Sequence, residues 1–413
     1  MTALASGDWV SLERIRRVCA IMLALFALSF TALYATSNGR VDAFDRPLGT
    51  DFSEVWVAGV FVNEGHAEKP YDNVAHEARQ REFFTATSGF FGWCYPPYFL
   101  ALAALFALMP YWLAVLAWQG STLLLYLAAA RASLPRQGIV VLAALAFPAV
   151  AVNFGHGHNG FLTAGLMGGG LLLLDRRPLL AGLCLGLLAY KPQFGLVVPV
   201  ALIAGGYWRG AAAAAATVVA MTLATWAAFG TQAWAAFFDS LRFTREVVIE
   251  QGSTGWHKLQ STFSAVRMLG GSIAEAYAAQ AAMSLVCVAA IALLWRSRAD
   301  RRLKSAAVMV AALLSTPYCI DYDMMLLGPA LALTVSHGLE RGFAPYEKSA
   351  LAFVWMMPLL ARNVALLTNV PLGVLTMAAF LALLIARALP DLARQWPAWA
   401  GLNAEIAALA NRR

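Results

Sequence analysis

An all-α polytopic membrane fold is what the sequence predicts, and three observations carry it. Of 413 residues, 60 % are hydrophobic and only 13 % charged, about half the charged share of an ordinary soluble domain. The mean hydropathy is +0.64. Apolar runs approaching the roughly 20 residues that cross a bilayer recur along the chain, and arginine clusters punctuate them. Basic residues beside spans stay on the cytoplasmic side, so the net charge of +7 reports topology loop by loop. There is no basic, aromatic-interleaved soluble domain, which argues against a nucleic-acid partner. Cys19, Cys94, Cys184, Cys287 and Cys319 show no C-x-x-C spacing. They read as small buried hydrophobes, not as a disulfide or metal framework.

The whole chain, 1–413, is expected to form one integral membrane domain. Its first span, 18–36, follows Arg14, Arg16 and Arg17. A signal peptide has the same start, but the chain stays hydrophobic afterwards, so an uncleaved span with a cytoplasmic N-terminus is expected. A first external loop covers 37–110. Inside it, 52–62 has apolar and small residues at helical spacing and 73–85 reads as a polar helix, both lying along the membrane surface. Tyr95-Pro96-Pro97 opens an apolar run to Met109. At about 13 residues it is short for a crossing, and the prolines suit a helix start, so it reads as re-entrant or interfacial.

Core spans fill 111–229. The second span ends at Arg131 and Arg136, and the third emerges at a Gly-His-Gly-His-Asn-Gly turn, 155–160. The fourth returns to Arg176 and Arg177. Two half-length segments, 179–190 and 194–207, are split by Lys191-Pro192-Gln193. A second large external loop, 230–272, follows the span at 211–229. C-terminal spans occupy 273–388, with Arg296, Arg298, Arg301 and Arg302 on one side and Asp321-Tyr322-Asp323 on the other. A cytoplasmic tail, 389–413, carries Arg394, Arg412 and Arg413. With about 12 spans, the basic clusters fall inside while Asp51, the histidine turn, Lys191 and the Asp-Tyr-Asp turn fall outside.

Those outer polar groups are the candidates for chemistry, and each has a structural alternative. In Gly49-Thr50-Asp51-Phe52-Ser53-Glu54, an Asp followed three residues later by Glu is a helix-capping pattern; the other reading makes Asp51 the working carboxylate of an enzyme. Lys191 sits at membrane depth beside a proline break, where irregular backbone lines protein or a watery cavity. It binds a phosphate with Gln193, or snorkels to the interface. His156 and His158, with Asn159, suit hydrogen bonds to a ligand better than zinc, because no matching Cys, His or acid set is near. Asp321 and Asp323 cap the next helix, bind sugar hydroxyls or pair with Lys191. Trp93, Tyr95 and Tyr98 are interfacial belt aromatics or a sugar-stacking wall. Arg242, Arg245, His257 and Lys258 form a basic set facing lipid headgroups or a pyrophosphate-like ligand.

The order and spacing of these features resemble glycosyltransferase family 87 over residues 45–335, most closely over 161–209. The features are the early Asp, Tyr95-Pro96-Pro97, Gly157-His158-Asn159-Gly160, Lys191-Pro192-Gln193 and Pro317 leading to Asp321-Tyr322-Asp323. That family includes polyprenol-phosphate-mannose-dependent mannosyltransferases. The resemblance implies a GT-C fold, a polyprenyl-phosphate sugar donor, an outward-facing site and an essential Asp in the first external loop, which Asp51 matches. It implies a bacterial inner-membrane location with the site toward the periplasm. Tyr318 stands where relatives often have a histidine, which weakens a second catalytic group there. Glu54, Tyr95, Tyr318 and the polar residues above then become donor-binding candidates, with a glycolipid or polysaccharide as acceptor and the lipid bilayer as surroundings.

The chemistry agrees with the analogy. A phosphate leaving group made in the membrane needs a cation, for which Lys191 fits, helped by Arg242, Arg245 or Lys258. The attacking hydroxyl needs a carboxylate base within hydrogen-bond reach. An inverting single displacement without cofactor or metal is expected, the donor being a substrate. A transporter or flippase of a lipid-linked saccharide also uses broken helices and a buried lysine, but brings internal repeats that the two halves do not show. A structural subunit of an envelope-polysaccharide assembly is the third class.

Overall fold

The computed structural model describes residues 2–84, 89–134 and 138–395. Arg136, Arg412 and Arg413, used above as topology markers, lie outside the described residues, as does most of the tail. Among the described residues the chain is helices joined by turns, with two isolated bridges in place of a sheet. Six helices are long and apolar enough to cross a membrane: Leu12–Ala35, Tyr111–Ser133, Trp208–Glu250, Ile273–Arg296, Glu347–Thr368 and Leu372–Gln395. The pair Ile139–Leu145 and Pro148–His156, bent by 47° where Pro148 withholds an N–H, makes a seventh if taken as one span. Among the described residues, then, six or seven helices have the length and composition of full spans, with shorter apolar helices between them. Phe52–Asn63 and Pro97–Phe106 are two of these, in keeping with their short runs in the sequence.

The centre is Arg301–Leu314, in which every residue from Ser305 to Leu314 is buried. Past its basic first turn this helix is apolar on all sides, so it has to be enclosed by protein. Ile273–Arg296, Leu327–Arg341 and Leu372–Gln395 enclose it. Elsewhere small residues let backbones approach. Gly182 faces Trp208–Phe243 so closely that a Cβ would come within 2.4 Å of the Gly210 carbonyl oxygen. Trp208–Phe243 breaks direction at Gly230 (φ 75°, ψ 175°), where the sequence places the start of the second external loop. The first part of that loop is nonetheless helical: it runs to Phe243, widens into a π turn to Glu250, and meets Thr262–Met268 through 251–261.

The polar groups separate to two ends. At one, Arg301 bonds Asp175 at 3.1 Å and lies over the rings of Tyr207 and Trp295 at 4.5 and 4.8 Å. Arg302 pairs there with Asp300 and Glu340, each at 2.7 Å. Gly160–Leu173 leads from the histidine turn to this end, and Arg301–Leu314 leads back from it toward Tyr318. Both helices have 14 residues, about 21 Å of helix. Trp93 and Tyr95 do not form an interfacial belt: both are buried, with Trp93 packed on Tyr95 and Phe99 at 5.1 and 5.9 Å between ring centroids.

Candidate active site

Two turns, more than a hundred residues apart in sequence, meet back to back to present Asp51. Gly49 (φ +61°) and Gly157 (φ +63°) both adopt the left-handed conformation that suits glycine. A Cβ on Gly157 would stand 2.7 Å from Phe52 Cβ and 2.9 Å from the Gly49 oxygen. This contact lets the Asp51 N–H donate to the His156 carbonyl at 3.0 Å. The Asp51 side chain makes no cap to its own helix, Phe52–Asn63, so the capping-box reading fails here. Instead Asp51 Oδ1 accepts from the Thr50 hydroxyl at 3.1 Å and faces His156 Nδ1 at 3.3 Å. Thr50 Oγ1 also lies 3.1 Å from His156 Nδ1, which closes the triangle. Thr50 carried no signal of its own in the sequence beyond sitting next to an acid.

Beside this triangle lies a buried network. His158 Nε2 bonds the Tyr95 hydroxyl at 2.8 Å, and Asn159 Nδ2 donates to the same hydroxyl at 2.9 Å. The Tyr322 ring stacks on His158, with centroids 3.5 Å apart. Burial, then the nearby Lys191 and His156 charges, push the His158 imidazole well below its usual range. Lys191 Nζ donates to Asp323 Oδ1 at 2.5 Å, with both side chains at most 2 % exposed, and it lies 5.2 Å from the Tyr322 ring centroid. The second oxygen of Asp323 accepts from the Ile320 N–H at 3.0 Å. Of the sequence alternatives for Asp323, two are realised together: it pairs with Lys191 and caps the short helix Asp321–Leu326 through the Ile320 N–H. Neither residue lines the cavity, which corrects the expectation that Lys191 meets the donor phosphate directly. Asn159 and Asp321 also stand behind the wall. Burial raises the Asp321 carboxyl, against the pull of His156 and Arg362, and Arg362 is 3.6 Å away.

In front of Asp51 opens a cavity of about 570 Å³. Its polar lining includes Asp51, Glu54, Tyr95, His156, His158, Gln193, Lys258 and Tyr318; its apolar lining includes Phe90, Phe91, Phe237, Leu241 and Phe243. The loop carrying Lys258 is tied to the Asp-Tyr-Asp turn, since the Asp321 N–H donates to the Lys258 carbonyl at 3.0 Å and Leu259 bridges Ile320. Among the described residues no acid pairs with the Lys258 ammonium. Its neighbour His257 lines a different, smaller cavity of about 240 Å³ with Trp256 and Asn369, so the basic set of Arg242, Arg245, His257 and Lys258 is not gathered around one cavity. Arg242 and Arg245 are engaged at the surface by Glu246. Among the described residues no cluster of three or more His, Cys, Asp or Glu side chains has the arrangement to hold a metal.

The fold and the cavity define a polytopic helical membrane protein with a pocket lined by carboxylates, other polar groups and aromatic rings. A family profile for glycosyltransferase family 87 matches residues 93–317, more than half of the chain, and the chain belongs to that family. Tyr95, His156, His158, Lys191, Gln193 and Lys258 lie inside the matched stretch; Asp51, Glu54, Asp321 and Asp323 lie outside it. No curated protein and no solved structure matches the chain.

Proposed function

We propose that the chain transfers a hexose, mannose by family analogy, from a polyprenyl-phosphate donor to a glycolipid or polysaccharide acceptor. The mixed lining of the cavity, carboxylates and a lysine together with a set of phenylalanines, is the observation that carries this reading. A lipid-linked sugar phosphate needs an apolar wall for its chain, a cation for its phosphate and polar groups for its sugar. Phe90, Phe91, Phe237 and Phe243 supply the first, and Asp51, Gln193 and Lys258 the rest. Lys258 takes the phosphate role, since Lys191 is committed to Asp323.

Asp51 is the general base. With Oδ1 engaged by Thr50 and His156, its second oxygen is left for an acceptor hydroxyl. That hydroxyl attacks the anomeric carbon as the bond to the phosphate oxygen breaks, giving inversion in one displacement with no covalent intermediate. The location proposed is the bacterial inner membrane, with the cavity toward the periplasm. Purified protein given a radiolabelled polyprenyl-phosphate sugar and envelope lipids tests the reading. Label moved to an acceptor supports an enzyme, label moved across the bilayer supports a flippase, and neither result supports a scaffold.

A further inference from the structure

Glu54 is the second carboxyl of the cavity, and its surroundings are the opposite of those around Asp51. Asp51 Oδ1 accepts a hydroxyl hydrogen bond and faces an imidazole nitrogen. Glu54 lines the same cavity at 7 % exposure, and among the described residues nothing hydrogen-bonds its carboxyl. The titratable and charged groups facing it are Asp51 from the turn before its helix, Cys94 and Tyr95 from 92–97, Tyr318 from the turn after Arg301–Leu314, and Lys191 from the broken helix. Lys191 is already neutralised by Asp323. An anionic Glu54 would therefore be buried, unbonded and one helical turn from another carboxylate, a combination that favours the neutral acid. Burial, followed by the Asp51 charge, pushes its carboxyl well above the ordinary range, with Lys191 opposing. Paired groups whose environments diverge in this way divide acid and base roles.

We propose that Glu54 holds a proton at neutral pH and gives it to the departing phosphate oxygen while Asp51 takes one from the acceptor hydroxyl. This deepens the glycosyl-transfer reading and rests on it. The acceptor oxygen bonds to the anomeric carbon, and the carbon–oxygen bond to the phosphate breaks. Its electron pair stays on the phosphate oxygen, which takes the Glu54 proton. The acceptor's proton, now on Asp51, passes to Glu54 and resets both groups. The lipid phosphate thus enters as a monoanionic diester and leaves as a monoanionic monoester, so no second negative charge is generated in the cavity.

The test uses full-length protein in nanodiscs. Infrared difference spectra of wild type against E54Q at neutral pH should contain a protonated-carboxyl C=O band, and E54D should shift that band. E54Q and E54A should transfer sugar about 100-fold more slowly, the scale of a lost general acid, with E54D retaining most of the rate. The wild-type rate should fall on the alkaline side as the band disappears. A missing band, or an E54Q enzyme with the wild-type rate and pH profile, would overturn the inference. The band needs no turnover, so it decides the point even where a variant is inactive for other reasons. If D51N abolishes transfer and the band is absent, this inference alone fails; if D51N leaves transfer intact, the underlying reading fails.

Discussion

Two acid–base contacts at the same end of the molecule differ in what surrounds them. Lys191 and Asp323 are sealed, each at most 2 % exposed, with an aromatic ring and a backbone N–H filling their remaining valences. His156 and Asp51 keep 22 % and 17 % of their side chains exposed, and both face the cavity. In sequence the lysine is the more conspicuous, being a charge at membrane depth beside a proline. In three dimensions it is a brace, and the unremarkable Asp after a Gly-Thr is the group that can meet a substrate. A sealed pair has spent its charge on its partner; an open one still has an oxygen to offer.

Substitutions on the two sides should therefore separate. The largest effect is expected for D51N: transfer falls by about 10³-fold, the range of a lost general base, while the melting temperature and donor binding stay close to wild type. A large parallel loss of stability would make Asp51 a brace as well. K191M should act in the opposite sense, costing about 3–5 kcal/mol of stability because it strands a buried carboxylate. K191M/D323L should recover most of that loss in thermal unfolding, and a double variant as unstable as the single would break the comparison. K258A should raise the donor KM by about 10- to 100-fold, the weight of a charge-assisted hydrogen bond, with little change in unfolding. G157A should cost about 1–3 kcal/mol, since alanine is strained in the left-handed region and its Cβ would collide with Phe52.

The smallest expected effect concerns pH. A carboxyl raised in the folded state, as Glu54 is by burial, binds its proton more tightly folded than unfolded. Its contribution to stability is therefore full below the ordinary glutamate range and declines as pH rises toward the folded value. Wild-type melting temperature should fall over that interval and the E54Q profile should be flatter. Equal slopes would argue against a buried neutral Glu54.

The fold class was legible because bilayer-length apolar runs leave a plain signature. The mixture of long and short helices was not. Arg301–Leu314 is enclosed by protein and needs no lipid-length run, and the mostly buried Gly160–Leu173 stops short for the same reason. The residues of the site were largely visible as types, since Asp51, His156, His158, Gln193 and Lys258 all stood out as polar groups between apolar runs. Their assignments were not visible. Nothing local shows that Lys191 meets an acid 132 positions away, that neighbours His257 and Lys258 line different cavities, or that Asp51 spurns its own helix for Thr50 and His156. The phenylalanine wall went unseen because Phe237 and Phe243 sit on a helix that the sequence assigns to a loop.

One further consequence follows from the 14-residue helices that join the histidine turn and Tyr318 to the arginine-rich end. At about 1.5 Å per residue they fall short of the roughly 30 Å of hydrocarbon in a bilayer. On the proposed reading, arginines held at one water boundary would leave Asp51 below the opposite one, so that a lipid-borne phosphate would need little lifting and a sugar acceptor would be drawn down to meet it.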